Sequence, residues 1–192
     1  MRNTSKKRII VLEDDLCRCK VKSIKKTLAT FTSESDAPVL LVFDTNGGEA
    51  QPCLELYDVV RIIVKESPVV VDGLVLGKCK SVGLVVLQAC HNRYAAPHSR
   101  FFMHYCQAMF GYSSYFEDGE LISRFRKHLI RTREIDEFVR LAIISRTGMS
   151  DSTYRELLAE GSFFGKEFSA QRALELRLIN KITEGLPDRF GI

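Results

Sequence analysis

A serine, a histidine and a pair of glycines carry the chemistry this chain can offer. Ser81 lies in Gly77-Lys-Cys-Lys-Ser81-Val82-Gly83, between an apolar run from Val69 to Leu76 and another from Val82 to Cys90. The first run reads as a buried strand and the second as a helix, so Ser81 falls on a strand-to-helix turn. A hydroxyl there points outward, beside backbone N–H groups that the first helical turn leaves without acceptors. Those groups and the helix dipole favour negative charge, which suits an attacking oxygen or an oxyanion. His104, in Phe102-Met103-His104-Tyr105, ends a later strand and can serve as the base that takes the serine proton.

Upstream, Asp44-Thr45-Asn46-Gly47-Gly48 adds a glycine turn. The N–H groups of Gly48 and Val82 can bind a developing oxyanion, and glycine lets the main chain come close to a substrate. One such donor is worth roughly 10²–10³ in rate, so its placement matters as much as the nucleophile. The candidate set is therefore Ser81 and His104 as catalytic residues, with Gly47, Gly48 and Val82 at the oxyanion hole. Each piece has a plainer use alone. Serines at helix starts are mostly N-caps, and glycine pairs are mostly turns. Their conjunction is what points to acyl transfer through a covalent intermediate.

The elements that must position these residues alternate between strand and helix. Arg8 to Leu12 reads as a strand, with Asp14 or Asp15 capping a helix to about Phe31. Val39 to Phe43 is a continuous apolar run, the mark of a parallel strand covered on both faces. Gly47-Gly48 breaks the chain before a helix from about Pro52 to Val64. Arg93 to Ala96 and Arg100 to His104 are further strands divided by Pro97, and Gly111 to Gly119 is a loop. The longest helical pattern follows, from Leu121 to about Arg146, extending about 37 Å at 1.5 Å per residue. That length predicts a helix projecting from the core toward another subunit. Gly148-Met149-Ser150 recaps a shorter helix, and Ser169 caps a last one from Ala170 to Arg177. The alternation argues for one layered α/β domain over residues 1–192, with 1–7 as a short tail.

Composition narrows the function classes. The net charge of +4 is modest, and the basic clusters at Lys6–Arg8, Lys20–Lys26 and Arg124–Arg133 lack interleaved aromatic residues, which argues against nucleic-acid binding. No run approaches the roughly 18 apolar residues of a membrane span. The basic start has no long apolar segment after it, so a secretory signal is not expected and a cytoplasmic location is. Six cysteines sit mostly in apolar runs, as reduced buried thiols do. Cys17-x-Cys19 and Cys90-His91 lack the spacings of zinc sites, so no metal and no cofactor is expected. His91, His98 and His128 read as ordinary surface or loop residues.

With these residues in view, the chain resembles the proteolytic subunit of the Clp protease, within the wider ClpP/crotonase fold. The resemblance runs from Arg8 to about Ile182. Asp44 to Gly48 is similar to that family's Asn-Ser-Pro-Gly-Gly turn. Gly77 to Gly83 is similar to its Gly-x-Ala-Ala-Ser-Met-Gly segment, which implies Ser81 as nucleophile. Gln88 to His104, with Arg93, Pro97, Arg100 and Met103, resembles the segment that carries its histidine, implying His104 as base. Phe168-Ser169-Ala170, Ala173 and Leu178-Ile179 resemble its closing helix. The resemblance implies a ClpP/crotonase-like layered fold and a serine endopeptidase acting on peptides or unfolded proteins. It also implies a ring-forming homo-oligomer with the 121–146 helix at a ring-to-ring contact.

The departures matter too. Members carry a catalytic aspartate before the Ser-Ala pair of the closing helix. Counting back from Ser169 reaches Gly161, with Glu160 beside it, and counting from Gly148-Met149-Ser150 reaches Leu157. Glu160 is the substitute this comparison offers. Lys78 and Lys80 flank the nucleophile where members have small residues. Members open with a longer segment that meets an ATP-dependent unfoldase, whereas Met1 to Lys7 alone precede the first strand here, so such docking is not expected. Two alternatives stand beside the peptidase: an inactive structural or regulatory ring subunit, and a crotonase-type acyl-CoA enzyme.

Overall fold

Val39–Phe43 is buried at all five positions, and this stretch forms an inner strand of a mainly parallel sheet. In the computed structural model, which describes residues 8–106, 118–160, 165–187 and 190, the strands are β1 (Ile9–Leu16), β2 (Val39–Gly48), β3 (Val71–Lys80), β4 (Arg93–Ala95), β5 (Arg100–Met103), β6 (Lys166–Ser169) and β7 (Lys181–Ile182). The helices are α1 (Arg18–Glu34), α2 (Ala50–Glu66), α3 (Val82–Ala89), α4 (Asp118–Thr147), α5 (Asp151–Ala159) and α6 (Ala170–Glu175). The sheet runs β1-β2-β3-β4-β7 in parallel, while β5 pairs with the end of β3 and, antiparallel, with β6.

The helices bury stripes at helical spacing, as amphipathic segments must. Val21, Ile24, Leu28 and Phe31 are the buried positions of α1, and Cys53, Leu56 and Val60 lie on the inner side of α2. Each fully buried leucine removes enough apolar surface to contribute about 1.5–3 kcal/mol. All eight residues of α3 are buried, so this helix is core on every side. Leu40, Val42 and Leu74 form a separate cluster with Ile9, Tyr94 and Phe190, so β2 and β3 contribute side chains to two apolar clusters. This is the ClpP/crotonase-like layered architecture.

Three boundaries differ from the sequence reading. β1 continues through Asp14 and Asp15 because its register with β2 shifts there by a bulge, so neither acid caps α1. Cys17 occupies the cap position and makes no side-chain cap bond. The opposite end of α1 is closed by Arg8, whose guanidinium bonds the carbonyls of Phe31, Ser35 and Ala37 and lies 5.2 Å from the Phe31 ring. The glycine pair also belongs to β2 rather than interrupting the chain before α2. The loop expected at Gly111–Gly119 falls largely outside the described residues.

α4 has 30 residues, about 45 Å at helical rise. Ala142, Ile143 and Thr147 are buried near its C-terminal end, whereas Ile122, Phe125, Leu129 and Ile130 near its start are exposed. The expected projecting helix is therefore present, anchored at one end. Arg146 fixes that anchor, donating to the carbonyls of Gln88 (2.8 Å) and Cys90 (2.7 Å) at the end of α3.

Candidate active site

Ser81 joins β3 to α3 with φ 52° and ψ −131°. A serine in this region stores of order 1–3 kcal/mol of strain, which surrounding structure must hold in place. Ser81 occupies the cap position of α3, yet its side chain accepts no cap bond. Its Oγ instead lies 2.8 Å from His104 Nε2. The Ser81 N–H donates to the Phe102 carbonyl at 2.9 Å, tying the turn to the strand that delivers the histidine.

The glycine turn braces this elbow. Gly47 has φ 97°, and a Cβ there would stand 2.8 Å from both the Lys80 carbonyl oxygen and Ser81 Cβ. Gly48, at φ 143°, presses on β1, where a Cβ would meet the Leu16 nitrogen at 2.6 Å. Buried Thr45 holds the turn by accepting the Gly47 N–H at 3.1 Å and donating to the Asp14 carbonyl. Asp44 Oδ1 accepts from the Lys78 N–H at 3.1 Å, and Gly77 leaves room for that carboxyl group.

Ser81, His104, Gly48 and Val82 line one cavity of about 740 Å³, together with Asn46 and Asp136. Gly47 packs against Ser81 without lining it. A cleft of this size accommodates a stretch of peptide. Val82 opens α3, so its N–H has no intrahelical acceptor. Lys80, flanking the serine, pairs with Glu167 at 3.3 Å and lies 5.8 Å from the Phe102 ring. Burial pushes the Cys79 and Cys90 thiols up, the latter to about 12, so neither supplies a thiolate near neutral pH. His91, whose Nδ1 accepts the Val71 N–H at 3.1 Å, is a structural residue.

His104 is held from both sides, with the Phe102 ring 5.4 Å away and Gly165 leaving room for its Cβ. Its Nδ1 is buried and has no hydrogen-bond partner among the described residues. Glu160 ends α5 in an exposed ion pair with Lys166 at 3.5 Å and does not line the cavity. Leu157 is buried in the core, and Gly161 lies outside the described residues. Asp136 and His128, the latter read from sequence as an ordinary surface or loop residue, both line the cavity, and Asp136 is the acid that sequence reasoning missed. Its Oδ1 accepts the Cys106 N–H at 2.7 Å. Burial raises its carboxyl above the ordinary range, while the Cys106 N–H and nearby His104 pull it down. The available signal was an acid between the apolar Ile135 and Val139 of the long helical pattern.

The parallel layered sheet is a ClpP/crotonase-like fold, and at its strained strand-to-helix turn a serine faces a strand-end histidine. The family model for Clp protease matches residues 1–185, and the chain belongs to that family of peptidases. Among solved structures it is similar in fold to a ClpP1 mutant from Listeria monocytogenes, with a TM-score of 0.76 and 18% identity over 96% of this chain and 95% of the other. A comparison with curated proteins found no match.

Proposed function

We propose that this chain is a serine peptidase in which Ser81 is the nucleophile and His104 the general base. The observation that carries the reading is the 2.8 Å approach of Ser81 Oγ to His104 Nε2 at a strained turn opening on a cavity. As Oγ bonds to the scissile carbonyl carbon, its proton passes to Nε2. The Gly48 and Val82 N–H groups stabilise the resulting oxyanion, and Gly47 keeps the elbow in register. When the C–N bond breaks, the proton on Nε2 goes to the leaving amine. Water then hydrolyses the acyl-enzyme with His104 again as base.

Peptides and unfolded chains are the substrates this reading assigns, cleaved inside a ring-shaped homo-oligomer. The exposed Ile122, Phe125, Leu129 and Ile130 of α4 support self-association, because an isolated protomer would leave these side chains in water. A second reading, an inactive ring subunit, is favoured by the buried apolar Leu157 at one of the two positions where counting places the family's aspartate.

Fluorophosphonate labelling read by intact mass tests the proposal. One adduct is expected, absent in Ser81→Ala and at least about a hundredfold slower in His104→Ala. No adduct on folded, assembled protein establishes the inactive subunit instead. Solution sizing of the same sample is expected to give an oligomer, and a monomer at micromolar concentration removes the chamber.

A further inference from the structure

The proposed mechanism leaves one group at the site without a role. If the Ser81 hydroxyl donates to His104 Nε2, a neutral imidazole carries its proton on Nδ1. That nitrogen is buried and lacks a partner among the described residues. A buried donor without an acceptor disfavours this tautomer, so an acyl-transfer site needs something on that side of the ring. The family's aspartate does not answer the need: neither count reaches a carboxylate, and Glu160 is engaged elsewhere with Lys166.

We propose that Asp136, delivered by the long helix α4, is the positioning residue that takes the place of the family's aspartate and selects the Nδ1–H tautomer of His104. The inference rests on the Ser81–His104 reading and adds a residue to it.

Three observations converge. Asp136 lines the same cavity as Ser81 and His104. It is tied at 2.7 Å to the backbone of Cys106, two residues beyond the histidine, so the strand exit that holds the ring also holds the carboxylate. One oxygen receives that N–H, so the carboxylate keeps a second oxygen for another donor. The other cavity carboxylates, Asp15 and Glu49, come from the end of β1 and the cap of α2, and Glu49 Oε1 accepts the Arg18 N–H at 3.0 Å. His104 is among the groups that lower the Asp136 carboxyl, which agrees with their proximity. In the proposed arrangement the carboxylate accepts a hydrogen bond from Nδ1–H and stabilises the imidazolium formed when Nε2 takes the serine proton. It does not itself become protonated.

The test uses full-length protein labelled with ¹⁵N-histidine, as wild type, Asp136→Asn and Asp136→Glu, with His104→Ala to assign the ring signals. Wild-type His104 is expected to show its proton on Nδ1, and Asp136→Asn to shift it toward Nε2. In parallel, fluorophosphonate labelling of Ser81 is expected to fall in Asp136→Asn by at least about tenfold, and at most by the roughly 10⁴ of a fully inverted tautomer. Peptide turnover is expected to lose kcat with little change in KM. Asp136→Glu is expected to recover part of the rate and the Nδ1–H signal, which a purely structural role would not produce. Unchanged ring signals together with labelling within twofold of wild type in Asp136→Asn overturn the proposal. Should wild type take no adduct, the Ser81–His104 reading fails, and the nitrogen spectra alone decide whether Asp136 sets the tautomer.

Discussion

The two sides of His104 are built differently. Toward Ser81, backbone holds backbone: the elbow is pinned by the Phe102 carbonyl, Gly47 fits against it, and buried Thr45 locks the glycine turn to β1. Toward Asp136, a half-buried side chain reaches in from a helix whose outer half is exposed, and it is anchored at the site by the Cys106 N–H. The nucleophile side is thus fixed by the sheet that also forms the core. The supporting side depends on how α4 sits.

The sharpest way to break this contrast is to damage the rigid side. Gly47→Ala drives a methyl group against the Lys80 carbonyl and Ser81 at a φ that side chains resist. It is expected to cost about 1–3 kcal/mol in denaturant unfolding and to slow Ser81 labelling together with stability. Full stability in Gly47→Ala would mean the elbow is looser than its geometry indicates.

On the supporting side the expected effect is smaller and of opposite sign. Burial raises the Asp136 carboxyl, so the folded protein binds its proton at higher pH than the unfolded chain does. The stability tied to that proton is present below the ordinary carboxylate range and is lost as pH rises through the raised value. Asp136→Asn keeps an acceptor for the Cys106 N–H and carries no charge. Its melting temperature is expected to gain on wild type from pH 4 to pH 7. A constant gap over that range would mean that burial does not strain this carboxylate.

The smallest effect is expected at the substitute the sequence comparison offered. Glu160→Gln breaks an exposed pair with Lys166, and such pairs contribute about 0–1 kcal/mol. Ser81 labelling in Glu160→Gln is expected to match wild type. A tenfold loss would return the third role to Glu160 and weaken the case for Asp136.

These differences track what a linear sequence records. Ser81, Gly47-Gly48 and His104 were legible because each sits at the end of an apolar run, where local pattern alone marks a turn or a strand end. The parallel core strand at Val39–Phe43 was legible for the same reason. The continuation of β1 through Asp14-Asp15 was not, because two adjacent acids imitate a helix cap and only the pairing with β2 carries them on as strand. The antiparallel pairing of β6 with β5 was hidden as well, since Lys166–Ser169 has too few residues to show a period. Asp136 was illegible for a deeper reason. A single acid within a charged helix looks solvated until the fold sets the Cys106 backbone beside it.

The two contacts of Arg146 with the end of α3 have a mechanical meaning. α3 is a strut of about 12 Å, buried along its whole length, with the nucleophile at one tip and the guanidinium of the long helix gripping the other. A strut held at both tips cannot slide or turn without breaking one grip. Any load that bends α4 near Arg146 is therefore delivered along this strut to Ser81, lengthwise, at the joint where the backbone is already wound the wrong way.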